Sequence, residues 1–192
     1  MSASIRPTDE AEAIGATFAE LAALRARLGD AVRVRADAVS AWAVDQHLYH
    51  VALSSDLALR NVRALVRGEG NRIVHAGAPN ELALRVLADG TYPRGRSEAP
   101  RMVRPPDEVV PEYLTMEMDQ NRAMLAELAS EVARVASAAG RIPHVYLGEL
   151  DAGEWLRFAR LHAEHHLAIA RDIEAALEKG RDDPAPTSAR PS

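Results

Sequence analysis

Apolar residues recur along this chain at steps of three and four, the spacing of one helical face, and seldom at the alternate positions a half-buried strand would need. Ile14, Phe18, Leu21, Leu24 and Leu28 form the first such stripe. Pro7 and Thr8 precede it and Gly29-Asp30 closes it, which predicts a helix between them. A second, longer helix is expected from about Ala41 to Arg67, with Ser40 as N-cap and Gly68 and Gly70 as the stop. Its apolar arc is broad, and Asp45, Asp56, Arg60, Arg63 and Arg67 gather on the remainder, as suits a helix contacted by several neighbours.

The third long stripe runs from Pro111 to Ala139, turning Leu114, Met118, Leu125, Leu128, Val132 and Val135 inward, and Gly140 ends it. After "RIPHVYLGEL", read as a turn, Asp151 and Glu154 have the spacing of a capping box, so a fourth helix should run to about Lys179. Helices two and three are separated by a long stretch rich in Pro, Gly and Arg, with a short helix from Pro79 to Ala88 inside it. Connections of this length are uncommon in compact domains and often carry function. The pattern predicts one all-α domain over residues 1–179, a four-helix bundle with a long crossover between helices two and three. The remainder, 180–192, has the composition of a disordered tail.

Composition narrows the chemistry. Twenty-three Lys and Arg against 28 Asp and Glu give a formal charge of -5, which supplies no electrostatic footprint for nucleic acid. There is no cysteine, so disulfides, thiolate-zinc sites and a cysteine nucleophile are excluded, and any thiol chemistry must import its sulfur. No stretch approaches the roughly 18 apolar residues of a membrane span, and the N-terminus lacks a basic segment followed by an apolar run. A cytoplasmic protein is expected. Neither a phosphate-binding glycine loop nor a G-x-S-x-G elbow is present.

The candidate chemistry lies in "FARLHAEHHLAIARDI". On a helical wheel with Trp155 at zero, Phe158, Ala159, Ile169, Ile173 and Leu177 fall within about 60° and define the buried face. His162 and His166 straddle its centre at roughly -20° and +20°, while His165 sits at the margin, roughly -80°. Two imidazoles one turn apart can converge on one ion, and burial favours it, since an unpaired buried imidazole is costly. A third ligand must come from elsewhere. The second helix offers His47 and His50, both on its broad apolar arc; the wheel does not choose cleanly, and His47 is slightly nearer the centre of the arc.

Three passages together resemble one family. "WAVDQHLYHV" places Trp42 eight residues before His50, "PHVYLGELDAGEWLRFARLHAEHHLAI" pairs a His-Gly-Leu-Trp loop with H-x-x-H-H, and "GTYPRGRSEAP" lies in the long connection. These are similar to the DinB-like (YfiT-like) superfamily of bacterial proteins, whose members are inferred to be metal-dependent. The resemblance implies a metal triad of His50, His162 and His166. The sequence departs from the pattern in two places: proline precedes His144 instead of following it, and no glutamine follows the double histidine.

Three neutral imidazoles leave coordination positions open, as in catalytic sites, and would hold a divalent metal ion, zinc or nickel first, iron or manganese next. By resemblance, the expected activity is that of a thiol S-transferase: the ion activates a low-molecular-weight thiol for attack on a small-molecule electrophile. Arg94, Arg96, Arg101 and Arg104 are candidates for binding carboxylates of such a thiol. The alternatives are a hydrolase using metal-activated water and a non-catalytic, stress-related binding module. A homodimer is compatible with any of these. Trp42 and Trp155 are expected as core anchors, His144 and His47 as residues near the site, and no side chain stands out as a separate catalytic base.

Overall fold

The computed structural model describes residues 5–94 and 98–182, and among these the chain forms six α-helices and one two-stranded sheet. Helices α1 (Pro7–Leu28), α2 (Val44–Arg67), α4 (Pro111–Ser130) and α6 (Ala152–Asp182) are the long ones. Two short helices, α3 (Glu81–Asp89) and α5 (Val132–Ser137), and a hairpin of β1 (Ile142–His144) and β2 (Gly148–Leu150) complete the set. The fold is mainly helical as expected, with a helix in each of the four expected regions, but the third is broken into α4 and α5 and the hairpin is an addition. None of the described helices is long and apolar enough to cross a membrane. The 180–192 tail lies outside the described residues beyond Asp182, as does Arg96.

Helix α6 organises the packing. It lies against both α1 and α2, which in turn contact α4. The stripe read from α1 is buried throughout, from Ile14 and Phe18 to Leu24, and meets Trp155, Leu156 and Ile173 of α6 in one apolar cluster. Each such side chain contributes about 1.5–3 kcal/mol by leaving water. A buried ionic clamp crosses this interface, beside the more exposed pairs Arg27–Glu174 and Glu20–Arg171: Glu10, 4% exposed, accepts from Arg157 at 3.1 Å and from Arg160 at 2.5 Å.

Several boundaries differ from the sequence reading, each for a local reason. Helix α2 starts at Val44, not Ala41, because Ser40 is used elsewhere: its hydroxyl accepts the Trp42 backbone N–H and pairs with the His47 ring. The first turn is secured instead by Gln46, whose side-chain oxygen accepts the Ala43 N–H at 3.0 Å. Asp45, expected on the wet arc, is buried there and accepts the Gln46 N–H. The third long helix is interrupted at Glu131, with φ -111° and ψ 23°, so α4 and α5 are separate and Val132 is only half-buried. The short helix begins at Glu81 with Asn80 as its cap, Oδ1 accepting the Ala83 N–H. The capping box of α6 forms as read: Asp151 Oδ1 accepts the Glu154 N–H and Glu154 Oε2 accepts the Asp151 N–H, both at 2.9 Å.

The hairpin replaces the expected turn. Its strands pair antiparallel with Ile142 opposite Leu150 and His144 opposite Gly148. Ile142, Leu147 and Leu150 are buried, and the Trp155 indole N–H donates to the Ile142 carbonyl at 3.2 Å, fixing the hairpin on α6. Residues 74–80 hold its other side through bridges Val74–Arg141 and Pro79–Gly148 and through the Asn80 side-chain amide, which donates to the Tyr146 carbonyl. Gly148 has φ +79°, and a Cβ there would lie 2.6 Å from the Ala78 carbonyl oxygen, so only glycine fits.

Candidate metal centre

His50 comes from the second turn of α2, and His162 and His166 from successive turns of α6. One ring nitrogen from each lies within 4.8 Å of the others, forming a cluster that can hold a metal ion. All three rings are buried. His50 Nε2 and His162 Nε2 are 3.1 Å apart. Two nitrogens bound tetrahedrally to one zinc ion would be separated by roughly 3.4 Å, so the present spacing is close to that of a ligand pair.

The surrounding contacts orient the rings. The Nδ1–H of His50 donates to the Val103 carbonyl at 2.7 Å, which leaves Nε2 with its lone pair toward the cluster. That carbonyl belongs to a 3-10 turn, Arg101–Val103, in the long connection. His166 Nδ1 lies 2.9 Å from His47 Nδ1, and His47 Nε2 lies 2.9 Å from Ser40 Oγ. With His166 Nδ1–H donating to His47 and His47 Nε2–H donating to Ser40, the Nε2 of His166 is free for an ion. His47 is therefore placed behind His166 and outside the three-histidine cluster. Both α2 histidines are buried, at 3% and 4% exposure, so burial does not separate them, and the slight lean of the helical wheel toward His47 is not followed by the cluster.

Burial is the main cause that lowers the pKa of every histidine in this region, with neighbouring rings adding to it. His47 is held at about 4, His50 below its ordinary value, and His162 and His166 well below. The rings are neutral at physiological pH, the state a metal ligand requires.

The cluster forms the floor of a cavity of about 400 Å³. Trp42, Tyr92, Trp155 and Phe158 supply aromatic wall, and Met102 and Val103 come from the connection. Trp42, expected as a core anchor, is half-buried beside the rings of His47 and His50 and lines the cavity, outside the main apolar cluster. Trp155 is fully buried and serves both as core anchor and as wall. His165 is half-buried on the cavity edge, its ring 5.7 Å from that of Tyr92. His144 also lines the cavity, packed on Trp155 and Phe158, and burial holds its pKa at about 4. His75 is exposed and lies apart from it. A second hollow, about 500 Å³ between α1 and α4, contains no histidine.

The arginines expected to bind carboxylates are mostly committed. Arg94 pairs with Asp172 at 2.7 Å and Arg104 with Glu98 at 3.3 Å, while Arg101 is exposed and does not line the cavity. The arginine that does line it is Arg72, which the sequence reading did not single out. Tyr92 and Ser40 were also missed. Tyr92 stands within "GTYPRGRSEAP", a passage that carries the resemblance, but its contact with the His162 and His165 rings is long-range, while Ser40, read only as an N-cap, meets His47 seven residues on.

The family model described as "Protein of unknown function (DUF1569)" matches residues 77–172, half of the chain, from just before α3 to within α6. The chain belongs to the DUF1569 family. The matched region includes His144, His162 and His166, whereas His50 and Arg72 precede it. No curated protein and no solved structure matches the chain.

Proposed function

We propose that the chain is a cytoplasmic, metal-dependent enzyme of the DinB-like superfamily, a four-helix bundle of α1, α2, α4 and α6, and that it acts as a thiol S-transferase. The observation that carries the reading is the set of three buried, neutral imidazoles with converging nitrogens at the floor of an open aromatic cavity. A purely structural site would be closed by a fourth side chain, and no fourth His, Cys, Asp or Glu joins this cluster among the described residues. His50, His162 and His166 would hold the ion, zinc or nickel first, with iron and manganese as the other candidates. When bound, such an ion supplies Lewis acidity that lowers the pKa of a coordinated thiol. The protein's own part is orientation and exclusion. Val103 and His47 fix the rings of His50 and His166, and the aromatic wall keeps bulk water from the sulfur and the electrophile. The sulfur of an imported low-molecular-weight thiol forms a bond to the electrophilic carbon, the leaving group departs with its bonding pair, and the thiol proton passes to solvent.

The test is metal content by elemental mass spectrometry on protein purified without affinity tag or chelator, beside the His162→Ala, His166→Ala double variant. Near-stoichiometric metal in the wild type and background in the variant is the expected result, followed by thiol-dependent turnover in a screen of thiols with electrophiles. Turnover without thiol would replace this reading with hydrolysis. Failure to take up zinc, nickel, iron or manganese would leave a non-catalytic binding module.

A further inference from the structure

The cavity has polar donors that the histidine cluster does not use. Arg72 lines it and makes no ion pair among the described residues; its one hydrogen bond there is from Nη2 to the Pro143 carbonyl, 3.0 Å. That contact sets the guanidinium beside the residue preceding His144, with its Nε and Nη1 donors uncommitted. On His144, Nδ1 accepts the Tyr146 backbone N–H at 3.1 Å, so the proton of the neutral ring sits on Nε2. This Nε2–H has no protein acceptor among the described residues. Burial and the Arg72 charge both oppose protonation of the ring, so it remains a neutral donor. The carboxylate that lines the cavity, Glu98, is engaged by Arg104.

We infer that this cavity takes a small organic anion with a flat apolar body, its carboxylate held by Arg72 and the Nε2–H of His144 and its body lying along Tyr92, Trp155 and Phe158 toward the histidines. A guanidinium offers paired donors that match a carboxylate, and a charge-assisted contact at the edge of an apolar cavity is stronger than one in open water. The aromatic wall provides offset and edge-on surfaces for a planar body. The inference rests on the proposed function only in taking this cavity as the substrate site, and it names the class of electrophile or thiol that would enter.

The probe is 2-naphthoate, with 2-naphthamide as the uncharged control of the same shape, each titrated calorimetrically into full-length protein whose zinc content has been measured. Naphthoate should bind about tenfold more tightly than the amide. Arg72→Met should reduce naphthoate to the amide's affinity while leaving the amide unchanged, and His144→Phe should weaken naphthoate by a smaller factor. Because a carboxylate can also ligate zinc, the titrations are repeated on metal-free protein. A preference that persists there and disappears in Arg72→Met establishes the anion site, even if the protein retains no metal on purification. A preference that depends on zinc and survives Arg72→Met, or no preference at all, overturns it, and neither result bears on whether the three histidines bind metal.

Discussion

The floor and the wall of the cavity are built in opposite ways. The floor stands on α2 and α6, two long helices whose mutual packing places His50 against His162 and His166. Trp155 and Phe158 of the wall share α6 with the floor, but the rest of the wall comes from short irregular pieces: the 3-10 turn at Val103, the hairpin carrying His144, and Arg72 in the segment before α3. Helices fix the ligands rigidly because each side chain inherits the geometry of a cooperative element buried over many turns. The wall pieces hold one another through a few hydrogen bonds, such as Arg72 to Pro143 and Asn80 to Tyr146, and can be displaced separately. A site of this kind can keep its metal chemistry while its substrate preference changes with a few loop residues.

The largest effect on this comparison should come from breaking the clamp beneath the floor. Glu10→Ala leaves Arg157 and Arg160 without their shared buried carboxylate. The cost should be about 2–3 kcal/mol, because both arginines keep some access to water. Chemical denaturation should show the loss as a lower midpoint with an unchanged slope. If floor and global fold are one unit, zinc should dissociate along the same transition. Zinc release well before unfolding would show that the histidines sit on a separately melting piece.

The same division governs what could be read from the chain. Helical periodicity located the stripe of α1 and the pair His162 and His166, since both follow from a repeat of 3.6 along one element. It leaned slightly toward His47, nearer the centre of the apolar arc, although His47 and His50 are equally buried; their difference lies in partners, Ser40 and His166 for one, Val103 and His162 for the other. The resemblance selected His50, the one that joins the cluster. The hairpin was missed because its strands have three residues each and one contains Pro143, so no alternation could develop. Arg72 was passed over in favour of arginines in the next stretch of the connection, and only the Pro143 contact distinguishes it from a solvated cation.

A smaller and more local effect is expected at the wall. Gly148→Ala puts a Cβ against the Ala78 carbonyl in a backbone conformation that alanine disfavours. The expected destabilisation is on the order of 1–3 kcal/mol. Since Gly148 is the ladder partner of His144, the hairpin and its histidine should shift together. Zinc affinity, read by competition with a chromophoric chelator, should stay within about twofold of wild type, because no ligand lies on the hairpin. A large drop in zinc affinity would show that wall and floor are coupled and would end the distinction.

The smallest effect tests the edge of the floor itself. His47 makes no contact with an ion in the proposed site, yet its Nδ1 faces His166 Nδ1 and its Nε2 faces Ser40. Replacing it by leucine keeps the volume apolar and removes the acceptor that holds His166 in the tautomer with Nε2 free. Losses of such outer partners typically weaken metal binding by about 10–100-fold. The lower end is expected here, about tenfold, because the helix already limits where the His166 ring can go. Ser40→Ala acts one bond further out and should cost less. If His47→Leu leaves zinc affinity unchanged, His166 is oriented by α6 alone. If it abolishes binding, His47 is a ligand and the three-histidine assignment must be redrawn. A graded series, with His162→Ala most severe, then His47→Leu, then Ser40→Ala, is the result that places His47 behind the ligands.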